Sequence, residues 1–261
     1  MTMKLPIFLV DAFTSKPFSG NPAAVCPLDF WLDDETMQKI ATENNLSETA
    51  FIVNRGDYYQ IRWFTPQREV DLCGHATLAS AWVIMNLIQK GLEKITFGSH
   101  SGELYVTRQR DLLQMNFPAH IPEPCEIPDD LIKGLGVKPQ VVLASNYYLA
   151  VYESEEIVRG LRPYMKHLKE LDRVGVIVSA RGDKVDFVSR FFAPALGIPE
   201  DPVTGSAHCT LIPYWAKQLN KSTMKAQQVS TRGGELTCEF KDERVLIGGQ
   251  ARLFLEGYIK F

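Results

Sequence analysis

The chain has 261 residues, 45% of them hydrophobic and 23% charged, the composition of a globular protein with enough apolar material for a substantial core. Its formal net charge is −3 and its pI about 6.0, with Lys and Arg scattered, which argues against a nucleic-acid partner because that needs a basic face. No run approaches the roughly 18 uninterrupted apolar residues of a membrane helix, and MTMKLPIFLVDAFTSKP reaches Asp11 too soon for a signal peptide.

In chain order, IFLVDAF (7–13) reads as a strand, followed by a loop carrying SGNPAAV. Asp33 or Asp34 is placed to cap a helix through DETMQKIATENN, with acidic residues favourable in its first turn. TAFIV (49–53) and YQIRWFT (59–65) read as strands, the second by its period-two alternation. An apolar helix is expected from about His75 to Lys90, ended by Gly91. KITFGS and GELYVTRQRDLLQMNFP add three strands, the last two as a hairpin.

After Pro118 the stretch PAHIPEPCEIPDD is proline-rich and aperiodic, the best candidate for a boundary between halves 1–118 and 119–261. Beyond it, QVVLASNYYLAVY suggests a strand pair and EEIVRGLRPYMKHLKEL a helical stretch broken near Pro163. VGVIVSA and DFVSRFFAP are again strands. A second apolar helix runs through 206–219, and strands fill the end, KAQQVSTRGG, GELTCEFK and RVLIGGQARLFLEGYIKF. The closing strand is a candidate to return to the first half.

The halves echo each other. RWFTPQREVDLCGHATLASAW and RFFAPALGIPEDPVTGSAHCTLIPYW both run strand, aromatic-x-Pro, acidic loop, Gly-polar-Ala, apolar helix, Trp. Two copies of one supersecondary unit imply a duplicated architecture. Each copy is mostly strand with one buried helix, so the fold class is α+β, a mixed sheet curled around a central apolar helix in each half.

A helix N-terminus leaves backbone N–H groups unpaired and carries partial positive charge, so it suits a carboxylate or phosphate. Gly74 and Gly205 let a ligand approach those groups closely. The alternative is a pair of normally capped core helices. Cys73-x-His75 and His208-Cys209 hold the atoms of a zinc site, but neighbours on a helix point about 100° apart, so no metal is expected. A nucleophilic Cys-His pair is disfavoured because residues two apart at a helix start rarely hydrogen-bond productively. TGSAH lacks the serine-hydrolase elbow, and no phosphate-binding glycine motif follows a strand, so no nucleotide cofactor is expected. Acid–base chemistry remains. Glu48, between a helix and an apolar strand, is placed for partial desolvation, and Asp201 lies just before the second helix mouth. Each, read alone, also fits a solvated loop acid or a cap. Five dispersed cysteines, at 26, 73, 125, 209 and 238, predict reduced thiols and a cytoplasmic chain.

Four segments in order, DAFTSKPFSGNPAAV, NLSETAF, DLCGHATLASA and FFAPALGIPEDPVTGSAH, resemble the PhzF family of phenazine-biosynthesis-like isomerases, relatives of diaminopimelate epimerase. The resemblance spans roughly the whole chain. It implies two pseudo-symmetric domains with the site between them, a cofactor-independent isomerase acting on a small carboxylate, and a homodimer. It implies that Glu48 transfers the proton, and that Gly74, His75, Asp201, Gly205 and Ser206 bind substrate, with Asn21 nearby. In the related epimerases each half supplies a thiol. Cys73 matches the first, but the second half has Asp201-Pro202-Val203-Thr204 there, so a single carboxylate is the better proton carrier. A Cys73-dependent racemase and a non-catalytic small-acid binding protein are the alternatives.

Overall fold

The computed structural model describes residues 4–261. The chain divides into two compact units, one running up to Asn116 and taking in Gly248–Phe261, the other Phe117–Ile247.

In the first unit, strand Lys4–Ala12 pairs antiparallel with Asn21–Leu28 on one side and with Ala251–Lys260 on the other. Asn21–Leu28 runs parallel to Glu48–Asn54, which pairs antiparallel with Tyr59–Phe64. That strand runs parallel to Lys94–Ser99, and Gly102–Gln109 and Leu112–Pro118 continue antiparallel. Helix α1 (Asp34–Asn44) is capped by Asp33, whose carboxylate accepts from Thr36 N, and closes at Asn45 in the left-handed region. Thr49 to Val53 are buried at every position, so Glu48–Asn54 is covered on both faces. One face packs Phe51 and Phe64 against α1, with Met37, Ile40 and Ala41 in the same cluster. The other faces α2 (Gly74–Val83), which is buried almost all round. A helix apolar on every side must be enclosed, and the curled sheet does this. α2 continues as a π-turn, Ile84–Ile88, through the Gln89 N to Ile84 O bond, so the helical stretch ends short of Lys90. Gly91, at φ 92°, belongs to the following turn and does not cap it.

The second unit repeats this order. Val141–Ala144 and Tyr148–Val151 form an antiparallel pair, Val176–Arg181 runs parallel to the latter, and Phe187–Ala193 returns antiparallel. Thr223–Gln228 runs parallel to Phe187–Ala193 and Gly234–Lys241 pairs with it antiparallel. Helices α3 (Asp129–Leu135), α4 (Glu155–Gly160) and α5 (Met165–Lys169) contribute to a core with Val188 and Phe192. The opposite face of that strand meets α6 (Gly205–Leu219), where Phe187 stacks on Trp215. Pro213 lies inside α6 and cannot donate to Cys209 O; that carbonyl accepts from His120 N at 2.9 Å instead. The terminal RVLIGGQARLFLEGYIKF breaks into Arg244–Gly249 and Ala251–Lys260, and the second unit stops at Ile247 rather than at 261 because the last strand pairs with Lys4–Ala12.

His208, wholly buried in α6, places Nδ1 2.8 Å from Thr204 O, so Nδ1–H donates. Burial pulls its pKa from 6.5 to about 4. Between those values the unfolded chain takes up a proton that the folded chain refuses, so acidification favours unfolding. The contribution, of order 3 kcal/mol, is present above pH 6.5 and lost as pH falls to about 4. Urea unfolding at pH 7 and pH 4.5 should show this drop, and His208→Asn, which keeps a donor for Thr204 O but does not titrate, should show a smaller one.

Candidate active site

The first unit gathers a polar cluster at the start of α2. Cys73 is the N-cap residue, extended at φ −143°, and its side chain makes no capping bond. The first-turn N–H groups of α2 therefore receive no side-chain acceptor from the cap position. His75, one residue into the helix, is 4% exposed. Period-two alternation turns Glu48, at the head of its strand, to the α2 face, and its carboxylate Oε2 lies 3.2 Å from His75 Nε2. The N–H is not aligned for a full hydrogen bond in this geometry. On the other side of the ring, Asn21 Nδ2 stands 3.2 Å and Cys73 Sγ 3.4 Å from Nδ1. Asn21 is delivered by Gly20, whose φ is 73° and whose added Cβ would lie 2.2 Å from Ala12 O, so only glycine fits there.

These contacts fix the imidazole. The Asn21 amide N–H and the Cys73 thiol both direct protons at Nδ1, which is then the acceptor. Burial drives the His75 pKa down to about 3, so the ring is neutral and its one proton sits on Nε2, facing Glu48. The carboxylate thus meets a neutral donor, not a cation. Residues two apart at a helix start are expected to hydrogen-bond only rarely, yet Cys73 Sγ lies 3.4 Å from His75 Nδ1. Cys73 precedes the helix in extended backbone, which folds its side chain back over the first turn.

In the second unit the start of α6 is organised differently. Thr204, the N-cap, makes no side-chain capping bond; its N–H donates to Gln228 Oε1 at 2.8 Å. Gln228 Nε2 donates to Asp201 O at 2.8 Å and to Thr204 Oγ1 at 3.1 Å. The Thr204 hydroxyl, having accepted there, gives its own proton to Asp201 Oδ2. Gln228 therefore sets the direction of every bond in the chain that holds the Asp201 carboxylate. Ser206 Oγ lies 3.1 Å from the Tyr147 hydroxyl, and the Tyr147 ring packs edge-on against Phe191, centroids 4.9 Å apart. Burial raises the Tyr147 pKa, so the phenol stays protonated.

The two units share a clamp and differ at the key position. Arg62 grips Glu69 through both carboxylate oxygens, each at 2.6 Å, and Arg190 grips Glu200 at 2.7 and 3.0 Å. Glu69 and Glu200 stand at the same spacing before Gly74 and Gly205, so each pair holds the segment leading into a helix mouth. Thr49 pairs with Phe64 as Val176 pairs with Phe192, which makes Gly175 the counterpart of Glu48. A Cβ at Gly175 would lie 2.4 Å from Phe191 Cζ and 3.1 Å from Tyr147 Cδ1, leaving no room for a second carboxylate.

The structure thus brings Asn21, Glu48, Gly74 and His75 together with Cys73, and separately brings Asp201, Gly205 and Ser206 together with Thr204. Sequence reasoning missed Tyr147 and Gln228. Tyr147 follows only from the strand register, and Gln228 carries no motif at all. His208 and Cys209 diverge as expected, the first bonded to Thr204 O and the second lying 3.9 Å from Gly205 O, with burial holding its thiol up to about 12. The convergent donors are instead Glu48, Cys73 and His75, with one ligand atom from each within 4.8 Å of the others. No helix among the described residues is long and apolar enough to cross a membrane.

Over residues 10–257 the sequence matches the family described as phenazine biosynthesis-like protein, PhzC-PhzF. A Pseudomonas aeruginosa protein described as an uncharacterized isomerase is 53% identical over 255 residues, 98% of each chain. The crystal structure of a PhzF-family phenazine biosynthesis protein from Enterococcus faecalis is 51% identical, with a TM-score of 0.96 over 98% of this chain and 99% of that one. A hydroxyproline epimerase from Agrobacterium vitis shares the fold alone, at 8% identity and a TM-score of 0.60 over 99% of this chain and 93% of that one.

Two outcomes follow from the site geometry. Nitrogen-15 spectra of the imidazole rings should show His75 as the neutral Nε2–H form at pH 5; a charged ring or the Nδ1–H form would undo the assignment. Gln228→Leu, similar in size but apolar, orphans the buried Thr204 N–H and should lower stability by about 1–3 kcal/mol in urea melts.

Proposed function

The chain belongs to the phenazine biosynthesis-like (PhzC-PhzF) family of isomerases, and from that premise we propose that it moves a proton on a small carboxylate-bearing metabolite by general acid–base catalysis. The observation that carries this reading is Glu48, a carboxylate 12% exposed, set against a neutral imidazole whose proton faces it.

Glu48 takes a proton from an acidic carbon of the substrate and delivers it to another position on the same face. The carboxylate is the base as it begins and, once protonated, the acid that completes the step. His75 Nε2–H tightens onto the carboxylate when it is ionised, and Asn21 keeps the ring from turning over. Each step begins and ends with a proton, so no electron acceptor is required. At α6 the first-turn N–H groups of Gly205 and Ser206 suit a carboxylate, and Asp201 suits an ammonium or hydroxyl group. Gly175 in the place of Glu48 supports a single proton carrier and weighs against two carboxylates acting in turn.

A thiol mechanism is the second reading, favoured by the 3.4 Å approach of Cys73 Sγ to His75 Nδ1. Against it, Thr204 stands where a second thiol would be needed.

Incubating a panel of small amino, hydroxy and unsaturated acids in D2O should reveal at least one that gains deuterium. Glu48→Gln should cut that exchange by about 10²–10⁴-fold while leaving the fold intact. Retained exchange in this variant would remove Glu48 from the chemistry. Cys73→Ala should retain far more activity than Glu48→Gln; equal loss in both would reinstate the thiol.

A further inference from the structure

The polar cluster at the start of α2 also has the make-up of a metal chelate. Cys73 Sγ, one His75 ring nitrogen and one Glu48 carboxylate oxygen lie within 4.8 Å of one another, and the sulfur is already 3.4 Å from Nδ1. Around a tetrahedral zinc, bonds of roughly 2.0–2.3 Å put neighbouring ligand atoms about 3.3–3.8 Å apart. A cation takes one ring nitrogen, so Glu48, now facing Nε2, or Cys73, now facing Nδ1, must swing round the ring edge while the ligand atoms contract by on the order of 1 Å, a change made by side-chain torsions.

We propose that Glu48, Cys73 and His75 form an inhibitory site for a thiophilic divalent cation of the Zn2+ type, and that its occupation stops proton transfer by engaging the Glu48 carboxylate. The inhibitory half of this proposal rests on the reading of Glu48 as proton carrier; the binding half does not.

Three features argue for the site. The donor set of thiolate, imidazole and carboxylate selects borderline-soft cations and disfavours Mg2+ and Ca2+, which prefer oxygen ligands. The charges balance, because a dication with one thiolate and one carboxylate is neutral, which limits the cost of holding the set in a buried position. Cys73 and His75 are preset by the chain, one at the N-cap and the other in the first turn, so little ordering remains. On binding, the S–H bond of Cys73 breaks, its proton passes to water, and a metal–sulfur bond forms with no change of oxidation state. The three protein ligands leave a fourth position for water. The lone pair that Glu48 would use to accept a substrate proton is then held by the cation.

Cobalt(II) chloride serves as the spectroscopic probe, with the full chain reduced and freed of metal by chelation and dialysis. A thiolate-to-cobalt charge-transfer band in the near ultraviolet, saturating at one equivalent and abolished by added zinc sulfate, is expected. Cys73→Ser should remove the band and weaken cobalt binding by about tenfold or more. Cys125→Ser, a partly exposed thiol elsewhere, should leave both unchanged. Glu48→Gln keeps the thiol and should retain the band with weaker binding, which guards against a serine variant that merely misfolds. No band, or a band indifferent to Cys73→Ser but lost with Cys125→Ser, overturns the site. If the band behaves as expected, one equivalent of zinc sulfate should also suppress deuterium exchange, with recovery on adding EDTA. Unchanged exchange at saturation overturns the inhibitory half. Should no acid in the panel exchange at all, the isomerase reading fails while the cobalt spectra still judge the site.

Discussion

The neutral His75 ring, set between an amide on one edge and a carboxylate on the other, is the contact around which the first unit's polar cluster is arranged. It requires several independent choices to agree. Gly20 must accept a left-handed φ so that Asn21 reaches Nδ1, and Glu48 must sit in the register that faces α2. Cys73 must stay extended so that the helix opens at Gly74 without a side-chain cap. Burial then does the electrostatic work. A charged imidazole would hold the carboxylate as an ion pair, whereas a neutral one faces it with an N–H dipole and no net charge.

Duplication supplies the scaffold, and divergence supplies the chemistry. Both units run the same strand order with a buried helix entering after the same strand, and both clamp the approach to that helix with a two-pronged Arg–Glu pair. The side chains at the helix mouths then part company. The first unit has Glu48 and His75; the second has Gly175, with Ser206 and the Tyr147 phenol beside it. One mouth sets a carboxylate against a neutral imidazole, and the other holds hydroxyls and a carboxylate in fixed hydrogen bonds. The hydroxyl and amide chain from Gln228 through Thr204 to Asp201 has one consistent donor direction, so the carboxylate it holds has a defined orientation.

The features that make a good proton carrier also make a good ligand. A half-buried carboxylate, a neutral imidazole and a nearby thiol suit both general acid–base chemistry and zinc ligation. What separates them is preorganisation: a fixed tautomer favours proton transfer, while chelation would demand that ring nitrogen's lone pair for the cation.

Some of this was legible in the sequence because it is local. Continuous apolar runs marked both central helices, alternation marked Tyr59–Phe64, and the echo of RWFTP in RFFAP announced the repeat. Asp33 and Asp34 marked the start of α1, and the structure gives the cap to Asp33. The Gly-polar-Ala motifs likewise located both helix mouths. Non-local pairing lay beyond such reasoning. That Ala251–Lys260 returns to Lys4–Ala12 depends on a register across the length of the chain, and a strand's sequence does not name its partner. Gln228 and Tyr147 reached their sites through sheet pairing, and His75's tautomer through Asn21, far away along the chain. The sequence by itself determined the α+β class, the internal repeat and where each central helix begins. Only the tertiary structure decided the protonation, orientation and company of the polar side chains there, because burial and hydrogen-bond direction belong to the surroundings of a side chain and not to its neighbours along the backbone.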